Sequence, residues 1–564
     1  MANLVKEANE QLKEVIMKAM GMAVADGKFE PVPLPPFTIE IPNDKSHGDF
    51  AANVAMVCAK ALKMNPRQIA TILMERMIFD GTYFERCEMA GPGFLNFFLS
   101  KEWFARVIKA IEADGENYGR SQEGGNQKVM VEFVSANPTG PMHMGNARGG
   151  ALGDCLAAVL DWAGYDVTRE FYVNDAGNQI EKFGKSLEAR YLQIYQGEEA
   201  VPFPEDGYHG EDIKIRAQEF ADIHGDAYVD AEEKERRDAL VAYALPKNIE
   251  GLKTDLEKYR ITYDVWFRES TLHESGAIDD IVKTLSEKGL TYEKDGAIWY
   301  KATAYGGEKD EVLIRANGNP TYFAADIAYH YNKFAVRGFD RVINVWGADH
   351  HGHVARLKGA MDAIGLNGNR LDIVLMQLVR LTRDGEVVRM SKRTGKAITL
   401  TDLLDEVPID AARFLFNMRE PGSQMEFDLG LAVEQSSQNP VYYVQYAHAR
   451  ICSILKNLAA EGISPKERQL DDLLCFTQPE EIELIRHMAI YPSEILESAR
   501  TYDPARITRY VIELANKFHK FYNACRVKGE AEDVMQARLA LCLATRTVIR
   551  NVLTMLKINV PETM

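Results

Sequence analysis

The sequence has no run of 18 apolar residues, so nothing in it reads as a membrane-spanning helix. Cysteine is scarce: seven in 564 residues, at 58, 87, 155, 452, 475, 525 and 542, an odd number with no CxxC pair. That excludes a disulfide framework and a zinc knuckle and points to free thiols in a reducing, cytoplasmic setting. The start, MANLVKEANEQLKEV, alternates charge with apolar residues and lacks a signal-peptide core. Internal repeats and low-complexity tracts are absent. Positive charge is also short, with 66 Lys and Arg against 83 Asp and Glu, a net of −17. Taken over the whole chain, that balance speaks against a nucleic-acid partner, because phosphate binding wants Lys and Arg. What remains is 46% hydrophobic and 26% charged, a globular composition. The length suggests three or four domains at about 150 residues each.

Hydrophobic periodicity divides the chain. Residues 4–24 read as an amphipathic helix, followed by a Pro-rich stretch and alternating short strands and helices up to a polar linker, SQEGGNQ, at 121–127. We take 1–122 as an α+β domain. The run KVMVEFV (128–134) is apolar throughout, as in a strand buried on both faces. It leads through SANPTGPMHMGN into a helical stretch at 147–164, a strand at 165–173 and a second helix, the pattern of a βαβ unit in a parallel sheet. Residues 205–290 are charged with helical period and read as a helical insertion plus a return into the sheet. RVINVWG (341–347) and LDIVLMQLV (371–379) are further candidate buried strands. From Thr401 onward almost everything has helical period, punctuated by prolines. The expected domains are thus 1–122, 123–404 (α/β) and 405–564 (all-α).

Two short motifs carry chemistry. His143-Met144-Gly145-Asn146 sits between a strand and a helix. A helix N-terminus offers free N–H groups and a positive dipole end, so this loop suits phosphate, with Gly145 allowing close approach and His143 and Asn146 donating to it. The competing reading is a loop whose polar residues only cap the helix. Met390-Ser391-Lys392-Arg393 lies in a basic stretch, Arg380–Lys396, with six basic residues and two acidic ones. Such a loop can close on a triphosphate, or it can be a solvated basic hairpin. Asp349-His350-His351-Gly352-His353 is dense in potential metal ligands. Adjacent histidines rarely converge on one ion, however, and the cluster follows a predicted strand, where α/β sheets bind ligands. We assign no metal site and read His350 or His353 as a substrate contact.

Together, HMGN and MSKR resemble the two signatures of class I aminoacyl-tRNA synthetases, which lie on the two halves of a Rossmann-type domain. The wider context resembles the arginyl-tRNA synthetases. It does so in VEFVSANPTGPMHMGNARGGALGD (131–154), REFYVNDAGNQI (169–180), TYFAADIAYH (321–330) and RMSKRTGKAITL (389–400). PIDAARFLF (408–416) and NPVYYVQYAHARI (439–451) resemble the start of that family's anticodon-binding domain. SHGDFAANVAM (46–56) and AGPGFLNFFLS (90–100) resemble its additional, tRNA-contacting N-terminal domain. Two departures stand out. Asn146 replaces the second signature His, and Arg389 replaces a Lys before Met-Ser-Lys.

The resemblance implies ATP-dependent ligation of L-arginine to its cognate tRNA through an arginyl-adenylate, releasing pyrophosphate and AMP. Mg²⁺ accompanies the ATP, no permanent cofactor is expected, and the partners are tRNA(Arg), arginine and ATP, with no membrane and a monomeric chain. His143, Asn146, Lys392 and Arg393 become the catalytic set. His143, Gly145, Asn146, Gly347, Asp349, Met390, Ser391 and Lys392 become the nucleotide contacts. Asn137, Ser135, Glu132, Tyr322, Asp326 and His350 become the arginine contacts. A guanidinium is planar, always charged and donor-rich, so its complement is a carboxylate. Tyr322 and Asp326, four apart, share a face if YFAAD is helical. A different class I synthetase, a non-catalytic tRNA-binding paralogue and a small-molecule nucleotidyltransferase are the alternatives. The missing Cys pairs, the acid in YFAAD, the intact MSKR and the long helical tail speak against them.

The charge balance changes when windowed. Arg500–Gly529 holds seven basic residues and two acids, 7 − 2 = +5, and Arg380–Lys396 is 6 − 2 = +4. Arg450, Arg500, Arg506, Arg509, Lys517, Lys520 and Arg526 become the expected tRNA contacts, and salt-sensitive tRNA binding is expected with them.

Overall fold

The structure is a computed structural model and describes residues 3–42, 44–388 and 398–564. The first helix, Leu4–Ala25, is capped by the Asn3 side chain, which accepts from the Lys6 N–H at 3.0 Å. It buries Leu4, Ala8, Leu12, Val15, Ile16, Ala19, Met20 and Ala23, the stripe expected of its spacing. Behind it, Ile39–Glu40, Phe50–Ala52, Phe94–Leu99 and Phe84–Ala90 form an antiparallel sheet in that spatial order. Helix Lys101–Asp114 then packs on the C-terminal helices Pro479–Ala489 and Glu532–Met555. Asn551 donates to the carbonyls of Gly115 and Tyr118 at 2.9 and 3.1 Å, closing that contact.

The middle of the chain builds a five-stranded parallel sheet among the described residues. Its strands are β1 (Lys128–Glu132), β2 (Asp166–Val173), β3 (Val265–Arg268), β4 (Arg341–Gly347) and β5 (Leu371–Met376), in the spatial order β5-β4-β1-β2-β3. That is the doubly wound, Rossmann-type arrangement. Helix α1 (Asn146–Trp162) follows β1 and is buried on nearly every side. Gly153 of α1 lies so close to β1 that a Cβ there would sit 2.2 Å from Phe133. Helices Glu211–His224 and Glu233–Lys258 form the insertion, packed with helix Asn178–Gln196 around a small separate core, and β3 is the return into the sheet.

The structure departs from the sequence reading at four places. β1 ends at Glu132, short of its apolar run, because Val134 and Ser135 take φ of 68° and 44°. The left-handed region cannot continue a strand and is costly for a β-branched residue. The run 371–379 is not one strand. β5 stops at Met376, Gln377 N–H turns to the Pro421 carbonyl (3.1 Å), and Val379–Arg383 joins a separate small sheet. Its parallel partner there is Met425–Asp428, a strand inside the stretch expected to be helical. An antiparallel sheet of Thr291–Lys294, Ala297–Tyr300 and Glu311–Ile314 has no counterpart in the sequence reading.

Helix α1 is tied to the C-terminal helices through one carboxylate. Asp154 of α1 is 1% exposed and bonds Arg413 Nη2 (2.6 Å), Lys557 Nζ (2.8 Å) and Arg169 Nε (3.1 Å). Arg413 is fully buried and also donates to the carbonyls of Leu556 and Tyr259 at 2.8 and 3.0 Å. Burial opposes the charged form of Asp154, but Arg413, Lys557 and Arg169 together hold its carboxyl below the usual aspartate range. A depressed carboxyl contributes stability above its unfolded pKa and loses it as pH falls through the folded value. Asp154→Ala is therefore expected to cost about 3–5 kcal/mol, because it strands a buried guanidinium. It should also remove the acid-side part of the stability–pH curve that wild type loses below the ordinary aspartate range. Urea unfolding of both proteins from neutral to acid pH checks this.

Candidate active site

The sheet order reverses between β1 and β4, and a doubly wound sheet opens its ligand crevice at the C-terminal ends of such a pair. The chain leaves β1 through the strained turn at Val134–Ser135 and leaves β4 through Gly347 into the turn Ala348–His350. Of the expected contacts, Ser135 and Asn137 follow β1 and Gly347, Asp349 and His350 follow or end β4, at this one end.

The signature loop precedes α1 directly. His143 is exposed, and its Nδ1 accepts the Gly145 N–H at 3.0 Å, which leaves Nε2 outward. Asn146 opens α1, half-buried at the helix's positive end. The loop pairs with residues far along the chain. His143 forms a β-bridge with Thr399, Met144 N–H donates to Ile398 O (3.0 Å), and Leu400 N–H donates to Met142 O (2.8 Å). Met390, Ser391, Lys392 and Arg393 lie outside the described residues. The chain after them, from Ile398, is nevertheless fastened to the first signature. A cleft of about 730 Å³ opens beside it, lined by His143, Met144, Leu378, Val388 and Ile398 among others. Buried Arg148 of α1 braces its floor by donating to the carbonyls of Gln377, Ser423 and Glu420 at 2.8–3.0 Å.

YFAAD is helical, as the expectation for Tyr322 and Asp326 requires. Helix α2 (Tyr322–Tyr331) is capped by the Thr321 hydroxyl. Tyr322 is 42% exposed at its start, and Asp326 lies one turn on. Asp326 does not face solvent alone. Burial pushes the Tyr172 hydroxyl far up, and the charges of Glu269, Asp326 and Glu132 add to the shift. Glu269 is 3% exposed, and burial, with Asp326 nearby, raises its carboxyl above the usual range. Asp175 anchors the neighbouring backbone by accepting Ser270 N–H and Oγ–H at 2.8 and 2.9 Å. The result is an acidic, partly desolvated pocket that favours a cation.

Glu269 escaped the sequence reading because a lone acid in a charged stretch has no spacing that marks it. Its only signal was its place two residues after a short apolar run, VWF, that enters the sheet.

Beneath the pocket runs a buried polar chain. Ser135 Oγ accepts the Tyr172 N–H (3.1 Å) and donates to Glu132 Oε1 (3.0 Å). Lys333, fully buried in the π-helical turn Asn332–Val336 that continues α2, donates to Glu132 Oε2 (2.5 Å) and Asn344 Oδ1 (3.2 Å). Asn344 Nδ2 donates to His330 Nε2 (3.0 Å), and His330 Nδ1–H donates to the Asp326 carbonyl (2.8 Å). Burial, with Lys333 beside it, holds His330 well below the ordinary imidazole range, so it is neutral and its two nitrogens have fixed roles. Glu132 is thus engaged in holding the site's floor.

The other expected contacts separate. Asn137 is exposed on the loop after β1, and no hydrogen bond of its side chain is seen among the described residues. Asp349 and His350 are exposed at the end of β4, 3.7 Å apart. His353 turns inward to Asp326 instead. Among the described residues no group of three His, Cys, Asp or Glu side chains is placed to hold a metal ion.

In the C-terminal domain, Arg500 pairs with Glu497, Arg506 with Glu494, Arg509 with Asp503, and Lys517 with Glu483 and Glu513. The windowed charge of 500–529 is therefore partly cancelled by acids the fold brings in from residues 483–497. Lys520 and Arg526 are exposed, without a carboxylate partner among the described residues. Arg450 lies between the rings of Tyr446 (4.7 Å) and Tyr522 (4.8 Å), both partly exposed.

Comparison with known proteins places these features in a family. Residues 6–99 match the profile of the arginyl-tRNA synthetase N-terminal domain, 107–451 that of the class I (R) tRNA synthetase catalytic domain, and 444–564 that of the DALR anticodon-binding domain. The chain is 57% identical over 564 residues to an arginine–tRNA ligase of Caldanaerobacter subterraneus, and 56% identical over 564 residues to one of Acetivibrio thermocellus, covering all of both chains. The arginyl-tRNA synthetase of Thermus thermophilus has the same fold, with a TM-score of 0.74 over 99% of this chain and 100% of that one at 21% identity.

Lys333→Met should destabilise the protein by about 3–5 kcal/mol, since it leaves the Glu132 carboxylate buried without a counter-charge. Adding Glu132→Gln should return part of that loss. Urea unfolding of the single and double variants measures the coupling, and simple additivity would contradict it.

Proposed function

The chain belongs to the arginyl-tRNA synthetases, class I ligases that use ATP as substrate, and from that premise we propose how its residues activate arginine and pass it to tRNA. The arginine α-carboxylate attacks the α-phosphorus of ATP, forms the adenylate and expels pyrophosphate. The 2′-hydroxyl of the terminal tRNA adenosine then attacks the adenylate carbonyl and releases AMP. The protein supplies positioning and charge. His143 Nε2, the Gly145 backbone, Asn146 and the N-terminus of α1 take the phosphates. Lys392 and Arg393 close over the leaving pyrophosphate, with Met390 and Ser391 beside the nucleotide and Gly347 and Asp349 on its adenosine side. Asn146 donates to phosphate but carries no charge, so the contact an imidazolium would make falls to the basic loop. Mg²⁺ arrives on the phosphates as part of the nucleotide.

The observation that carries this reading is the Asp326 carboxylate, partly exposed with Oδ2 held by His353 at 2.8 Å and with buried Glu269 nearby, an acidic pocket in the domain that also carries the signature loop. A guanidinium is the side chain that matches such a pocket. Asp326 and Glu269 pair with it, Tyr322 covers it, and Ser135, Asn137 and His350 hold the α-amino end. The C-terminal domain takes the anticodon arm. Tyr446 and Tyr522 offer ring faces to unstacked bases on either side of Arg450, and Lys520 and Arg526 meet phosphates. The ion pairs of Arg500, Arg506, Arg509 and Lys517 can exchange for phosphate, because surface pairs are worth only about 0–1 kcal/mol. Both signatures and the acidic pocket come from one chain, which supports a monomer. The free cysteines support a reducing cytosol.

Asp326→Asn is expected to raise the KM for arginine by about tenfold or more, the worth of a hydrogen bond to a charged group, and to leave the KM for ATP near wild type. Equal changes in both would contradict the assignment. The family resemblance implies that bound tRNA is needed for arginine activation. Pyrophosphate exchange should therefore be slow without tRNA and rise when it is added, and equal rates would contradict that dependence.

A further inference from the structure

Asp326 is the end of a second hydrogen-bond chain, distinct from the buried one beneath it. His353, on helix His351–Ala363, brings Nε2 to 2.8 Å from Asp326 Oδ2. Its other nitrogen, Nδ1, receives the Nε–H of Arg356 at 2.6 Å. Arg356 is held in turn by Glu311 Oε1 at 2.9 Å. A guanidinium can only donate, so Nδ1 is the acceptor and Nε2 carries the proton that goes to Asp326. The ring cannot turn away. It packs edge-on to Phe323 (5.8 Å between centroids) and against Trp346 (5.4 Å), and its side chain is 13% exposed. The main chain of Asp326 is pinned separately, through His330. Asp326 therefore has one oxygen engaged and one left for a ligand.

We propose that His353 and Arg356 are positioning residues for arginine selection. Arg356 locks the His353 tautomer, and His353 fixes one carboxylate oxygen of Asp326 so that the other meets the guanidinium. Neither residue touches substrate. This rests on Asp326 being the guanidinium partner. A carboxylate free to rotate would spend part of its binding energy on ordering itself, so losing the chain weakens arginine binding while the phosphate end of the site is untouched. Because the contact is made alike in the ground and transition states, the loss falls on KM and leaves kcat near wild type.

The decisive comparison is between two amides at position 353. The side-chain nitrogen of glutamine reaches the place of the imidazole Nε2. That of asparagine stops near Nδ1. Aminoacylation by the full chain should show His353→Gln with an arginine KM close to wild type. His353→Asn should show one raised about tenfold or more, the worth of a hydrogen bond to a charged group, with KM for ATP and kcat little changed. Arg356→Met should raise the arginine KM on its own and add nothing in the His353→Asn background. The positioning role is overturned if the Gln and Asn variants behave alike, if KM for arginine and ATP rise together, or if Arg356→Met adds in full to His353→Asn. Asp326→Asn, run alongside, separates the two claims. If it leaves the arginine KM unchanged, the Asp326 assignment falls and the positioning role with it. If it raises the KM while both amide variants bind arginine normally, only the positioning role falls. Thermal unfolding of each variant shows whether a change in KM comes with intact folding.

Discussion

One buried carboxylate, Asp154, holds the two larger parts of this molecule in register. It faces three cations, Arg413, Lys557 and Arg169, from three separate places in the sequence. Such a group is costly to bury and is tolerated only when its charge is matched and its lone pairs are used. Here both conditions are met, and Arg413 passes its remaining donors to the carbonyls of Tyr259 and Leu556. The helix that carries Asp154 begins at Asn146, so the signature loop lies at the end of the same helix whose contact seats the C-terminal helices.

Above that tie, the site is organised by charge of one sign at each end. The acidic end holds Asp326, with buried Glu269 nearby. The other end offers the N-terminus of α1. An amino acid with a guanidinium and an anionic nucleotide therefore each have one favourable place to lie. In the proposed reaction their reacting groups, carboxylate and α-phosphate, meet between the ends. The polar chains under the pocket make this arrangement rigid. Neutral His330 and the Lys333–Glu132 pair leave the Asp326 backbone and the Ser135 hydroxyl little freedom.

The strands of the central sheet were legible because both of their faces are covered. RVINVWG has no polar alternation, and the structure begins and ends β4 on those seven residues. The signature loop was legible because it lies in sequence between a buried strand and a helix. Elsewhere local pattern was insufficient. The turn at Val134–Ser135 breaks an apolar run that looked continuous, and only the need to aim Ser135 at Glu132 and Tyr172 accounts for it. Met425–Asp428 became a strand because Val379–Arg383 offered it a partner, a contact 46 residues apart in sequence (Val379 to Met425). The charge window at 500–529 kept its sign but lost force to Glu497, one turn before Arg500, and to Glu483 and Glu494 from neighbouring helices.

By itself the sequence determined the class of molecule: a parallel α/β core between a mixed N-terminal part and a helical tail, with a phosphate loop and a basic loop 244 residues apart (146 to 390). It also placed Asp326 and Tyr322 on one helical face. These features depend on near neighbours in the chain, where hydrophobic period, helix ends and turn residues act over a few positions. Only the tertiary structure decided that Met142–Met144 binds Ile398–Leu400, that Glu269 joins Asp326, and that His353 faces Asp326 while His350 faces water. Those are contacts between distant segments. Their energies come from desolvation, charge matching and hydrogen-bond direction, none of which exists until the chain has closed.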